Sequence, residues 1–257
     1  MNEVPDFKYK CSLGQTQFLK VALCAHNEGD TVVKVLSHED PSILLEQYKK
    51  DLLNLAKLAS KNVSIASFRI VEIRTNFAYM ARQFVRYSLY DRLSTRPFMT
   101  DIEKAWIVYQ IFRCMQWCHD FNIYHGDLKL ENILLDDKYQ PVLTDYTYTI
   151  LVDNLNNFET IMATSLPYLA PEIIARIPYD PIRADIWSFG VCLYIVLTNS
   201  LPFIPHVKPD DKQKGLQFKS RTKLTDEAKN CLTKTMEYDV NKRLSTNSLL
   251  KNSWFNK

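Results

Sequence analysis

The hydrophobic period of this chain changes once, from alternation in the first third to a helical repeat in the rest, and that change restricts the fold more than any single residue. The runs F-L-K-V-A-L-C-A (18–25), T-V-V-K-V-L (31–36), S-F-R-I-V-E-I (67–73) and F-A-Y-M-A-R-Q-F-V (77–85) read as short strands. Asn27-Glu28-Gly29-Asp30 supplies a turn between the first two. One helical pattern over roughly 41–58, with Leu45, Tyr48, Leu52, Leu55 and Ala56 on one face, interrupts them. From about residue 100 the spacing is helical. Ile102, Ala105, Trp106, Tyr109 and Phe112 form one stripe, and Ile107, Val108, Ile111 and Met115 nearly fill the rest. That pattern predicts a helix buried on most sides and capped by Thr100 or Asp101. Residues 185–198 are apolar almost all round, as in a core helix. The expectation is an α+β chain. A small β-rich lobe with one main helix spans about 8–85, a larger, mostly helical lobe spans about 86–257, and together they make one domain over 1–257.

Composition excludes several classes of function. A formal net charge of +3 gives no field strong enough to argue for nucleic acid or a membrane surface. With only five glycines and no low-complexity stretch, there is no sign of a flexible linker. The six cysteines form no C-x-x-C pair. Cys114, Cys118 and His119 lie close together, but they fall in or just after an apolar run and read as buried helix residues rather than metal ligands. No apolar run reaches the roughly 18 residues of a membrane span. The start M-N-E-V-P-D-F is not a signal peptide, and Asn2 excludes N-myristoylation of the chain as given. A cytoplasmic location is expected, with no transmembrane segment.

Phosphoryl transfer from a nucleotide needs a lysine on the phosphates, a metal-holding carboxylate, a carboxylate to take the hydroxyl proton, and a second metal ligand. The chain offers these in order. Lys34 lies mid-strand in T-V-V-K-V, and H-G-D-L-K-L-E-N (125–132) supplies Asp127, Lys129 and Asn132. Asp145 in L-T-D-Y-T follows, and then the A-P-E triplet Ala170 to Glu172. Each motif alone is weak; four at these intervals are not. The chain resembles the bilobal protein kinase fold of the serine/threonine type over essentially its whole length.

That resemblance implies specific roles. Asp127 is the catalytic base, Lys129 contacts the transferred phosphate, and Asn132 and Asp145 hold metal. Lys34, Leu13, Gly14, Val21, Gln83 and Asp145 are cofactor-binding. Asp51 is the acid that pairs with Lys34, and Glu46 is the alternative. Asp185 braces the catalytic loop, Arg243 pairs with Glu172 structurally, and Ser165 contacts the same loop. The implied cofactors are ATP or another purine triphosphate, with Mg2+ or Mn2+; the implied partner is a protein substrate.

The departures are equally specific. Gly126 replaces the arginine of H-R-D, which in kinases links the loop to a phosphate on the activation segment. Phosphorylation at Thr160, Thr164 or Ser165 therefore cannot switch the chain through that contact. Thr16 and Leu19 replace two glycines of the phosphate loop, and Thr147 replaces the glycine of D-F-G. Arg82 and Gln83 stand just before the hinge, where an apolar and an acidic residue are usual.

A closer resemblance covers about 8–135. Y-S-L-Y-D-R-L-S-T-R-P-F-M-T-D-I-E-K-A-W-I-V-Y-Q-I (87–111), S-L-G-Q-T-Q-F-L-K-V-A, D-P-S-I-L-L-E-Q-Y-K-K-D-L, A-R-Q-F-V and H-G-D-L-K are similar to the vacuolar protein sorting kinase-like regulatory subunit of the class III phosphatidylinositol 3-kinase complex. In that family H-G-D is the usual form. The resemblance implies a phosphatidylinositol 3-kinase catalytic subunit as partner, and peripheral association with endosomal or vacuolar membranes only through partners. The helical-repeat and propeller regions of that family are not in this sequence, so if the chain is complete, docking would use the kinase domain alone or not occur. Beyond Asp145 the chain looks like ordinary serine/threonine kinases. Two functions follow: an active kinase, or a weak or inactive nucleotide-binding pseudokinase that regulates the lipid-kinase complex.

Overall fold

The computed structural model describes residues 6–15, 19–37, 65, 69–74, 77–95, 99–145, 165–203, 216, 218 and 224–255. The chain divides into two compact units, Met1–Arg86 and Tyr87–Lys257.

The first unit is built on an antiparallel sheet of β1 (Lys8–Gln15), β2 (Leu19–His26), β3 (Gly29–Ser37), β4 (Arg69–Arg74) and β5 (Phe77–Gln83), in the order β1-β2-β3-β5-β4. Alternation sends Ala22, Cys24, Val33, Val35, Tyr79 and Ala81 into one core with Phe7. Gly29, at φ 114°, makes the turn into β3. β1 lies outside the strands expected from the sequence: Tyr9, Cys11 and Leu13 alternate with polar residues there, yet all eight of its residues are exposed. The expected helix over 41–58 lies outside the described residues.

The second unit carries a small sheet of β6 (Tyr87–Ser88), β7 (Ile133–Leu135) and β8 (Pro141–Leu143). Its helices among the described residues are α1 (Leu89–Thr95), α2 (Asp101–Asp120), α3 (Pro171–Ile174), α4 (Pro181–Thr198), α5 (Asp226–Thr235) and α6 (Thr246–Leu249). Thr100 caps α2 through a reciprocal box. Its Oγ1 accepts from the Glu103 amide at 3.2 Å, while Glu103 accepts from the Thr100 amide at 2.7 Å.

The expected burial of α2 on most sides is not found. Ile107, Val108, Ile111, Phe112, Met115 and Cys118 are buried, but Ile102 is 82% exposed and Tyr109 38% exposed. Apart from Phe112, the stripe picked out by its spacing is the outer one. Ile102, Trp106 and Ile107, with Met99, Leu135 and Tyr139, line a surface groove of about 440 Å³. Two apolar stripes leave periodicity unable to say which faces inward.

Helix α4 begins at Asp180, whose carboxylate accepts from the amides of Ile182 and Arg183, and ends at Asn199 in the left-handed conformation. Its 18 residues have a mean hydropathy of 1.3, long and apolar enough to cross a membrane by length and composition alone, so the expectation that no run reaches that length is corrected. In the structure 67% of the helix is buried. Phe112 of α2 packs between Phe189 of α4 (5.6 Å) and Phe255 (4.8 Å), which ties the last described residue to the helical core.

Candidate active site

In the first unit, register sets Gly14 opposite Val21, Val21 opposite Lys34, and Lys34 opposite Met80. Residues directly opposite share a face, so three of the expected nucleotide-binding residues form one row across the sheet. Lys34 is buried, at 4% exposure. Its face is the one opposite the core of Val33, Val35 and Tyr79. Leu13 is the extra residue of a bulge, since Ser12 pairs with Ala22 and Gly14 already with Val21; its side chain is exposed. A Cβ on Gly14 would meet nothing within 4 Å, so the sheet itself does not demand glycine there. Arg82 lies on the Lys34 face, opposite Val32, and donates to the Gln83 carbonyl at 3.0 Å. The Gln83 side chain is exposed and falls on the other face. Asp51, Glu46, Thr16, Thr147, Thr160 and Thr164 lie outside the described residues.

In the second unit, the loop from Ile123 to Lys129 runs between α2 and a turn of 3-10 helix, Leu130–Asn132. The carboxylate of Asp127 is 4% exposed and held on both oxygens. Ser165 Oγ donates to Oδ1 at 2.5 Å; Asn132 Nδ2 reaches Oδ2 at 2.9 Å and the Asp127 carbonyl at 2.9 Å. Lys129 Nζ lies 2.9 Å from Asp127 Oδ2 and donates to Ser165 Oγ at 3.0 Å. Asp127, Lys129 and Asn132 come from this loop and the 3-10 turn that follows it, and Ser165, 38 residues from Asp127, comes from the position just before a second 3-10 turn, Leu166–Tyr168.

The loop backbone is braced from below. Asp185, at 2% exposure, accepts from the amides of His125 (2.6 Å) and Gly126 (2.9 Å), and its Oδ2 lies 2.9 Å from His119 Nε2. Burial alone would push its carboxyl up. The hydrogen bond and charge of His119, then the charge and amide of His125, outweigh burial and hold it below the usual range. His125 donates Nε2–H to the Thr144 carbonyl at 2.8 Å and accepts the Asp127 amide on Nδ1 at 3.2 Å. Burial depresses its pKa, against the pull of Asp185 and Asp127, so the ring is held neutral. Its motif position gave no sign of this second role, for which the signal is available only in three dimensions. Gly126 has φ 78° and Asp145 φ 68°.

A divalent cation fits the chemistry of the donors. Asn132 spends its amide N–H groups on Asp127, which leaves its carbonyl oxygen as the acceptor, and Asp145 adds a carboxylate. One or two protein oxygens, with phosphate and water completing the shell, suit Mg2+ or Mn2+. Among the described residues no cluster of three His, Cys, Asp or Glu side chains offers a site that protein ligands alone would fill. Cys114 and Cys118 are buried and outside any disulfide.

Farther from the loop, Arg243 (1% exposed) grips Glu172 with both terminal nitrogens, Nη1 to Oε1 at 2.6 Å and Nη2 to Oε2 at 2.9 Å. Its guanidinium also lies 5.1 Å from the centre of the Trp187 ring. Tyr168 Oη reaches Glu131 at 3.5 Å, a contact not foreseen from the sequence.

Residues 7–255 match the protein kinase domain family. Testis-specific serine/threonine-protein kinase 1 of Mus musculus is 27% identical over 255 residues, which cover 95% of this chain and 70% of that protein. CBL-interacting serine/threonine-protein kinase 15 of Arabidopsis thaliana is 29% identical over 253 residues, 95% of this chain and 60% of that kinase. Serine/threonine-protein kinase VPS15 of Arabidopsis thaliana is 36% identical over 170 residues, but these make up 62% of this chain and 11% of that protein. The likeness to VPS15 is therefore higher in identity and shorter in reach than the likeness to other serine/threonine kinases. With a β-sheet unit carrying Lys34 and a helical unit carrying Asp127, Asn132 and Asp145, the chain belongs to the protein kinase domain family.

Proposed function

We propose that this chain is a serine/threonine protein kinase that transfers the γ-phosphate of ATP, or of another purine triphosphate, to protein hydroxyl groups. The observation that carries this reading is the Asp127 carboxylate, fixed by Ser165, Asn132 and Lys129 on a loop clamped by Asp185. Each carboxylate oxygen has two lone-pair sites, so Oδ1 can accept a substrate hydroxyl while still bonded to Ser165. Asp127 takes the hydroxyl proton, and its neighbours fix its rotamer so that little reorientation is left to do. Lys129 sets a positive charge beside the base, where the transferred phosphoryl group carries its negative charge. Lys34, buried on its sheet face, is the phosphate lysine. A divalent cation on Asn132 and Asp145 would neutralise phosphate charge when bound. Gly126 offers no guanidinium to an activation-segment phosphate, so activity is constitutive with respect to that phosphorylation.

Metal-dependent transfer of label from ATP to a generic protein substrate tests the reading. Asp127→Asn should lower kcat by roughly 10²- to 10⁴-fold with nucleotide binding kept. Transfer that survives the substitution undiminished would overturn it.

A second reading is favoured by the 36% identity to VPS15 together with Thr16 and Leu19 in the phosphate loop. In it the chain is a weak or inactive nucleotide-binding module that regulates a phosphatidylinositol 3-kinase complex, at endosomal or vacuolar membranes reached from the cytoplasm through that partner. Lys34→Met would then disturb assembly with the lipid-kinase catalytic subunit, and Asp127→Asn would not.

A further inference from the structure

His119 stands in the last turn of α2, where the sequence suggested no use for it beyond a rejected metal site. Its side chain and that of Asp185 are each 2% exposed, and Nε2 lies 2.9 Å from Asp185 Oδ2. An ionised carboxylate only accepts, so Nε2 carries the proton. Nδ1 is buried with no hydrogen-bond partner among the described residues. A buried imidazole left unsatisfied on one nitrogen costs free energy, which the bond on the other nitrogen offsets. The same Asp185 oxygen takes the His125 amide at 2.6 Å, and the other oxygen takes the Gly126 amide at 2.9 Å. Asp127 follows directly in the chain. The path from α2 to the base is therefore short: imidazole, carboxylate, two amides, catalytic residue.

We propose that His119 is a positioning residue for phosphoryl transfer: its Nε2–H fixes the Asp185 carboxylate in the one rotamer that holds the amides of His125 and Gly126, and so sets the direction of Asp127. This rests on the reading of Asp127 as the base. Without the imidazole donor, only the two amides hold Asp185, so both bonds open more often and the loop's reference is weakened.

The test compares His119→Leu, which keeps the bulk and removes the donor, with His119→Gln, whose amide nitrogen falls near the position of Nε2. Ile111→Val on the same helix serves as the stability control. In His119→Leu, kcat should fall about tenfold at unchanged KM for nucleotide, the scale of one charge-assisted hydrogen bond. Hydrogen exchange should quicken at the His125 and Gly126 amides in particular. His119→Gln should recover kcat to within about threefold and restore both amides. A loss no larger than that of Ile111→Val, or exchange quickened evenly over the second unit, would overturn the proposal. Nitrogen shifts of the unsubstituted protein give an answer that needs no variant, even if His119→Leu does not fold. The proton on Nε2 supports the brace, and a neutral ring with its proton on Nδ1 refutes it. Because exchange and tautomer are read without catalysis, they test the brace separately from any failure of Asp127→Asn to affect transfer.

Discussion

Gly126 shows how one residue can matter by its backbone rather than by what it lacks. Its φ of 78° lies in the left-handed region, and its amide is held by Asp185 at 2.9 Å, so the loop cannot relax without breaking that bond. A Cβ there costs about 1–2 kcal/mol. Gly126→Ala should therefore lower unfolding free energy by about 1 kcal/mol in urea titrations, and an arginine at the same place would meet the same backbone cost. Stability unchanged in Gly126→Ala would mean that the loop is free to leave this conformation. Motif spacing made Asp127, Lys129 and Asn132 legible in advance, because these three lie within a few residues of one another on a single loop. His119 and the second role of His125 were not legible. Their partners, Asp185 and Thr144, are 66 and 19 residues away, and no spacing rule connects them.

At the scale of elements, helices were legible where one face differs from the other or where every face is apolar. α4 belongs to the second kind, and its packing turns on Gly190. A Cβ at Gly190 would sit 2.6 Å from Thr235 Oγ1, 2.8 Å from Met236 Cγ and 2.9 Å from Thr235 Cβ, all at the end of α5. Met236 has flexible atoms that can yield. Thr235 is fully buried and bonded to the carbonyls of Cys231 and Leu232, each at 3.0 Å, so it cannot. Alanine gains about 1 kcal/mol over glycine in helix propensity, while overpacking a close-fitted contact costs about 1–3 kcal/mol. Overpacking wins: Gly190→Ala should be net destabilising by about 1 kcal/mol, seen as a lower urea midpoint at unchanged m-value. A stabilised variant would show that α4 and α5 have slack between them. The inward face of α2 stayed hidden because both of its stripes are apolar, and β1, whose Tyr9, Cys11 and Leu13 do alternate with polar residues, has no buried face to match that pattern.

For the molecule as a whole, the buried polar network of the second unit makes stability depend on pH. Glu172 and Arg243 close one part of it, and Asp185 with His125 closes the part under the catalytic loop. His125 is held neutral by burial, and its Nδ1 must stay unprotonated to accept the Asp127 amide. In the unfolded chain a histidine takes up its proton near pH 6.5, whereas the folded chain does so only at lower pH. Between those two values the unfolded state binds more protons. The contribution of His125 is therefore complete above about pH 6.5 and is lost as pH falls through the folded value. Asp185, with its carboxyl held below the usual range, contributes above about pH 4 and is lost only in stronger acid. The window between about pH 6.5 and 4 thus separates the two groups. Unfolding free energy measured in urea from pH 7.5 to 4.5 should decline toward acid, and His125→Gln, which keeps a donor for Thr144, should flatten the curve. The difference in slope is at most about 1.4 kcal/mol per pH unit, the value for one proton. Parallel curves for the two proteins would show that His125 titrates alike in both states, and that the loop under Asp127 admits its charge.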